Sequence, residues 1–307
     1  FFFWAMMKKG ASSKWRVVLW MPLASGVVLS SVPNLRRVPV AKKVFRSSSL
    51  DALTSADAAA LLAEVGADAV VCELRMASEV KPRTAGATSF YEAVRLRSRS
   101  MVPSVDEFWD GVRRDVPPAE LAFPTVATLW DGGAVDRVLV RKFEESRHLG
   151  LNKALLTCGG AEIGRVLGDI AEADAAVLFN CQKGKDRTGL VAAFLELVAG
   201  RDVDAVVDEY AISGALLGED AEEKEDEATS EEEKSSTSEE ESSSSASSTG
   251  TVDWTRFRGT PPRAMRDTLA WLDASFGGYD RYLASECGFS AEDQADLKRH
   301  LLLEERS

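Results

Sequence analysis

An α/β layer architecture is the fold class this sequence predicts, and two observations carry it. A capped helix leads into a short apolar strand over residues 55–74. A second apolar strand, "AAVLFNC" at 175–181, leads through a short loop into a helix that is apolar on nearly every face. Helices and strands in such succession bury their apolar faces against one another in layers. With 307 residues, 45% of them hydrophobic, the chain is long enough to close one core of about 250 residues.

The chain begins "FFFWAMM", and a basic start precedes an apolar run from Val17 to Leu29 that Pro22 and Ser25 interrupt. That run falls short of the ~20 apolar residues a membrane-spanning helix needs, so no stable membrane insertion is expected. Residues 1–26 read as an extension, with a buried strand following over 27–31. A secretory or organelle signal is the other use for such a run; without it the expected compartment is the cytoplasm. The stretch "SADAAALLAEV", 55–65, predicts a helix with Ser55 as cap and Gly66 as stop. "DAVVCEL", 68–74, follows as a buried strand. Residues 76–135, rich in Arg, Pro and Gly, show no clear period. Helical character returns over 137–171. Past the second strand, "TGLVAAFLELVAG" predicts a helix buried against the sheet, and Asp202 caps a further helix running through Tyr210.

Residues 216–251 differ in kind. Between Glu219 and Thr249 stand thirteen acidic residues, two lysines and no aromatic. This segment cannot bury enough apolar surface to offset its ordering entropy and is expected to be disordered. It carries nearly all of the net charge of −12, so the rest of the chain is almost neutral and the acidity says little about the ligand. No nucleic-acid partner is expected. Residues 252–307 return as C-terminal helices of the domain whose core is 27–215: Pro261 and Pro262 start one helix, Gly277 and Gly278 end it, and a last helix starts at Ser290.

The four cysteines, Cys72, Cys158, Cys181 and Cys287, form no CxxC pair and read as free thiols of a reducing compartment. Only His148 and His300 are present, and both read as surface or helix-end residues. The chain thus has little material for a His/Cys zinc site or a Cys–His catalytic pair, and no cofactor is expected.

The informative stretch is "FNCQKGKDRTGLV", 179–191. A strand, a short loop and a helix N-terminus make a concave set of backbone N–H donors, and the helix dipole favours an anion there. Arg187 adds a planar fork suited to two phosphate oxygens. Gly184 allows a close backbone approach, and Gly189 lets the helix pack tightly on the strand. Helix N-termini and neighbouring cations favour the thiolate, the nucleophilic form of cysteine, so the field that holds phosphate also arms Cys181. Such a loop, 181–188 with Gly189 behind it, fits in-line attack of Cys181 on phosphorus, with Arg187 and the loop amides on the equatorial oxygens. Thr188 donates to the departing thiolate. Gln182, Lys183, Gly184 and Lys185 complete the substrate-binding set, Lys185 adding charge and Lys183 reaching toward a second anionic group. For the general acid, Asp186 inside the loop is favoured over Asp131 of "LWDGG".

Other phosphate loops do not fit. A Walker-type loop needs glycine where Phe179 stands and Ser or Thr where Asp186 stands. "CGGAEIG" around Cys158 lacks the lysine of such a loop and reads as helix and turn. Cys72 and Cys287 have no cationic neighbours in sequence and read as packing residues.

With these residues the chain resembles the cysteine-dependent protein phosphatases. More narrowly, it is similar to the atypical tyrosine-protein phosphatase family typified by the secreted mycobacterial and listerial dual protein/phosphoinositide phosphatases. That family's loop reads HC-x-x-GKDRTG, matched from Cys181 to Gly189. "PNLRR" at 33–37, "VFRSSSLDALT" at 44–54, "ELR" with Glu79 after it, "GLNKALLTCGGAEIGRVL" and "PPRAMRDTLAWLDASFGGYDRYL" fall in the family's order. The resemblance implies a central, mostly parallel sheet flanked by helices, a helical region after the loop, no metal, and an acid role for Asp186. It implies a phosphorylated protein or a phosphoinositide as substrate. Asn180 stands where the family usually has histidine, and Glu73 where it has aspartate. The family's early Asn-x-Arg-Asp-x-Gly-Gly segment runs here as Asn34, Leu35, Arg36, Arg37, Val38, Pro39. A phosphate-binding module without catalysis is the competing reading.

Overall fold

The computed structural model describes residues 5–9, 15–19, 29–129, 131–219 and 251–306. Near the N-terminus, β1 (Ala5–Lys9) and β2 (Trp15–Leu19) pair antiparallel as a two-stranded sheet. Of the strand expected over 27–31, residues 27 and 28 lie outside the described residues and 29–31 form no strand: 30–34 run as turns and bends, and Leu29 and Val32 are buried. Their apolar character serves a packed turn rather than a ladder.

The main sheet has the order β3 (Arg36–Arg37), β4 (Val44–Ser47), β7 (Val177–Asn180), β5 (Val70–Glu73), β6 (Arg95–Ser98). Only β3 runs antiparallel to its neighbour; the β4–β7, β7–β5 and β5–β6 pairs are parallel. The central strands are buried along their whole length, as expected when both faces are covered. Alternation then divides the core. Phe45, Val71 and Leu178 face α1 (Ser55–Val65) and α2 (Ala85–Ala93). Val44, Val70, Cys72, Val177 and Phe179 face the second layer, led by α5 (Ala134–Ala171) and α6 (Asp186–Ala199). Helix α1 is capped by Thr54, whose hydroxyl accepts from Asp57 N, and not by Ser55; Gly66 closes it at φ 87°.

The stretch without a clear period holds α2, β6, α3 (Val105–Arg114) and α4 (Pro118–Ala127). Helix α5 breaks at Arg147 (φ 46°, ψ −135°). This break turns the next residue, His148, into the core, where it is 6% exposed; the expectation of a surface histidine is corrected there. The "CGGAEIG" stretch is helical, as expected. Its glycines let α5 touch backbone: a Cβ on Gly159 would lie 2.6 Å from Met101 O, and one on Gly164 2.0 Å from Cys287 O.

Helix α7 (Val203–Leu217) is capped by Asp202 and runs past the start expected for the acidic segment. Gly218 (φ 68°) ends it and Glu219 follows, docked on the phosphate-loop candidate. The expectation of disorder otherwise falls on 220–250, outside the described residues. The chain then forms α8 (Pro262–Phe276), α9 (Tyr279–Ser285) and α10 (Ala291–Arg306), which with α5 and α6 cover Tyr282, Leu283, Leu297 and Leu301. No described helix is long and apolar enough to cross a membrane.

Candidate active site

Strand β7 lies between β4 and β5, so the loop that leaves its C-terminal end opens at the middle of the parallel sheet, where open α/β sheets bind ligands. Cys181 leaves β7 at the floor of a cavity of about 440 Å³ and is 3% exposed. Gln182, Lys183, Lys185, Asp186 and Arg187 line the same cavity. Six of the nine sequence-predicted residues thus line one cavity, while Gly184, Thr188 and Gly189 are not among its lining residues. Asp131 is not among the cavity's lining residues: its side chain is half-exposed, accepts from Gly133 N at 3.2 Å and pairs with Arg137.

The loop's polarity follows from where its carbonyls go. Gln182 O accepts from Ser49 N (3.2 Å), Lys183 O and Gly184 O accept from Asn34 Nδ2 (3.1 and 2.7 Å), and Gly184 O also accepts from Arg46 Nη2 (2.9 Å). Three consecutive carbonyls are thus drawn outward, while the N–H groups of residues 182–187 donate to none of the described residues. Successive amides without partners at a helix N-terminus make an anion cradle. Gly184 (φ 68°) is required for this seat, because a Cβ there would lie 2.5 Å from Ser47 C and O. Gly189 serves a different neighbour from the one expected: its Cβ would meet the Tyr210 ring of α7 at 2.9 Å, so it admits a helix–helix contact.

Two buried arginines hold the cradle from beneath. Arg46 pairs with Glu209 of α7 at 2.6 Å while binding Gly184 O. Arg36 pairs with the same carboxylate at 2.7 Å and donates to Asn34. Burial opposes ionising Glu209, but the two guanidiniums outweigh it and hold the carboxyl below its usual range. Arg75 is clamped between Asp51 (2.6 Å) and Glu73 (2.7 Å) and reaches Gln182 Oε1 at 3.4 Å. Asn180, buried in the position before the nucleophile, donates to Glu73 Oε2 at 3.2 Å. Each buried charge is paired, as its desolvation demands.

Arg187 is aimed by Glu79. Its fork makes a bidentate contact, Nη1 to Oε2 at 2.6 Å and Nη2 to Oε1 at 2.7 Å. Burial alone disfavours the Glu79 anion; the Arg187 guanidinium reverses this and holds the carboxyl below its ordinary range. Asp186 is the first residue of α6, where its charge suits the dipole, and its buried Oδ1 has no partner among the described residues. Thr188, the last residue of the loop, is wholly buried, and its Oγ1 likewise has no partner among the described residues. Lys183 and Lys185 line the cavity as well, and both meet a carboxylate. Lys183 Nζ pairs with Glu219 Oε1 at 2.7 Å; Lys185 is buried, donating to Phe257 O at 2.7 Å and pairing with Glu219 Oε2 at 3.2 Å.

Above the polar floor the walls are apolar: Met76, Val102, Phe108, Trp109, Leu151, Leu155, Trp254 and Phe257. Phe108, Trp109 and Phe143 pack edge to face at 5.5–5.7 Å, and Phe257 stacks on Phe143 at 4.7 Å. His148 sits behind Phe257 at 6.2 Å between ring centres. Burial lowers its pKa, an effect the Asp186 charge opposes. The other thiols are unlike a nucleophile's: burial pushes Cys158 up to about 11 and Cys287 up to about 12, and raises Cys72 as well. The described residues contain no cluster of three or more His, Cys, Asp or Glu able to hold a metal.

Sequence reading identified the loop but not most of what holds it. Asn34, Arg46, Glu73 and Glu79 are legible only as pieces of a resemblance and Glu219 only as the start of the acidic segment, while Glu209 and the aromatic walls are not legible at all. The sequence profile of the tyrosine phosphatase family matches residues 34–303, from the Asn34 clamp to the last helix. A tyrosine-protein phosphatase of Nostoc commune is 32% identical over 134 residues, 43% of this chain and 40% of that protein. The match thus spans about two fifths of the length of the curated relative.

Proposed function

The chain belongs to the tyrosine phosphatase family, and from that premise we propose that it hydrolyses phosphomonoesters through a phosphocysteine on Cys181, phosphotyrosine in proteins foremost. The observation that carries this reading is the convergence of Cys181, Asp186 and Arg187 on one cavity whose walls are aromatic and aliphatic. A phosphotyrosine ring fits such walls while its phosphate meets the amides of 182–187.

The Cys181 thiolate attacks phosphorus in line, forming the S–P bond as the P–O bond to the phenol breaks. Asp186 gives its proton to the departing oxygen. Arg187 and the loop amides stabilise the three equatorial oxygens, where charge is spread in the transition state. Water then attacks the phosphocysteine while the Asp186 carboxylate takes its proton. The S–P bond breaks, inorganic phosphate leaves, and Thr188 Oγ1 donates to the restored thiolate. Glu79 acts through Arg187, holding the fork in plane.

The test compares the wild type with Cys181→Ser on para-nitrophenyl phosphate and on a phosphotyrosine peptide. Turnover by the wild type and none by Cys181→Ser is expected. Equal turnover by both, or phosphate binding without turnover by either, would refute the enzyme reading and leave a binding module.

A further inference from the structure

We propose that Glu219 is a specificity-determining residue: an internal counter-ion that occupies the loop lysines and makes the site select singly phosphorylated substrates over those carrying a second phosphate nearby. The inference rests on the phosphatase reading above and narrows its substrate class.

Two lysines in the loop look in sequence like a receptor for a second phosphate. The structure gives both to one carboxylate. Glu219 Oε1 takes Lys183 Nζ at 2.7 Å, and Oε2 takes Lys185 Nζ at 3.2 Å and Gly259 N at 3.0 Å. The carboxylate is held in place rather than merely near. Glu219 N donates to Gly214 O at 2.9 Å, Gly218 N donates to Ala215 O at 3.2 Å, and Gly218 turns at φ 68°, so the end of α7 fixes the residue's backbone. Its side chain is 14% exposed. One group therefore ties the end of α7, the phosphate loop and the turn at Gly259 together behind two lysines that line the cavity.

The consequences differ for the two lysines. Lys185 is buried and also committed to Phe257 O at 2.7 Å, so it serves the loop's structure. Lys183 has a half-exposed side chain and is the one able to meet a substrate. A single phosphate lies on the amides and Arg187 and does not need Lys183. A second phosphate must either displace the Glu219 carboxylate or sit against it, and a like charge at close range is repulsive by an amount that decides specificity.

The experiment uses the full chain and one scaffold in two charge states: dioctanoyl phosphatidylinositol monophosphate and bisphosphate, with a phosphotyrosine peptide alongside. Glu219→Gln keeps the side chain's length and an acceptor for Gly259 N while removing the charge. The expected result is a rise of about tenfold in the bisphosphate-to-monophosphate ratio of kcat/KM. Lys183→Met in the Glu219→Gln background should cancel that rise, and Glu219→Asp should keep the wild-type ratio. A ratio unmoved by Glu219→Gln, or moved equally with and without Lys183, overturns the proposal. Thermal melting checks that each variant folds. If the wild type turns over no substrate, the fault lies with the catalytic reading. Calorimetric affinities of soluble inositol monophosphate and bisphosphate for Cys181→Ser, with and without Glu219→Gln, then decide this inference by the same tenfold criterion.

Discussion

Replacing Gly184 by alanine tests whether the cradle's seat on β4 sets both stability and rate. Gly184 lies at φ 68°, and an added Cβ would come within 2.5 Å of Ser47 C and O and 2.6 Å of Ser48 N, all backbone atoms of the strand end. Ordinary carbon contacts begin near 3.5 Å, so the loop must retreat by about 1 Å. A non-glycine residue in the left-handed region costs about 1–2 kcal/mol, and overpacking against a rigid neighbour adds about 1–3 kcal/mol. The sum is a loss of about 2–5 kcal/mol. The retreat also pulls Gly184 O off Asn34 and Arg46, and a misplacement of about 1 Å at a reacting centre can cost about 10²-fold in rate. Urea unfolding followed by fluorescence gives the stability, and kcat/KM on para-nitrophenyl phosphate gives the rate. A Gly184→Ala variant within about 0.5 kcal/mol of the wild type, or one turning over at the wild-type rate, would refute this reasoning.

Asp186→Asn should lower kcat on phenyl phosphate by about 10²–10⁴-fold but much less on para-nitrophenyl phosphate, whose leaving group needs little protonation. Asp131→Asn should leave both rates unchanged, and the opposite pattern moves the acid to Asp131. Asn34→Ala leaves Lys183 O without its donor and should cost roughly 1–3 kcal/mol with a fall in kcat/KM. Asn34 itself has φ 63°, so Asn34→Gly removes the clamp without backbone strain; it should lose activity as the alanine variant does, and recovery in the glycine variant would show strain alone at work. His148 has its pKa lowered chiefly by burial, so between its folded value and the unfolded value near 6.5 the unfolded chain binds more protons. Its contribution is complete above about pH 6.5 and declines as pH falls through that value. His148→Phe should flatten the unfolding free energy over that interval, and an unchanged slope would remove His148 as its source.

The parts legible in sequence are those whose chemistry is local. Cys181 to Gly189 carries its whole signal in nine consecutive positions, and the apolar strands and the α6 pattern flank it directly. Its supports are remote: Glu79 meets Arg187 across 108 positions and Asn34 meets Gly184 across 150, distances over which a single sequence shows no pairing. Residues 76–135 resisted reading because their elements are largely solvated. Strand β6 is exposed at all four positions, and α4 leaves Phe123 74% exposed. His148 was misplaced because the charges of "EESRH" suggest a solvated face, which holds only while the helix is continuous; the break at Arg147 reverses it. Glu219 reads as the first residue of an acidic run, and only the turn at Gly218, which ends α7, sets it on the lysines.

The central claim is that one thiol carries the phosphoryl group. Rapid quenching of the full chain during turnover of a phosphotyrosine peptide, followed by peptide mass spectrometry, should find phosphate on Cys181 and on no other residue. Asp186→Asn should raise its steady-state level wherever hydrolysis is the slower step. Turnover with no phosphorylated cysteine, or with the phosphate on a different side chain, would contradict the account.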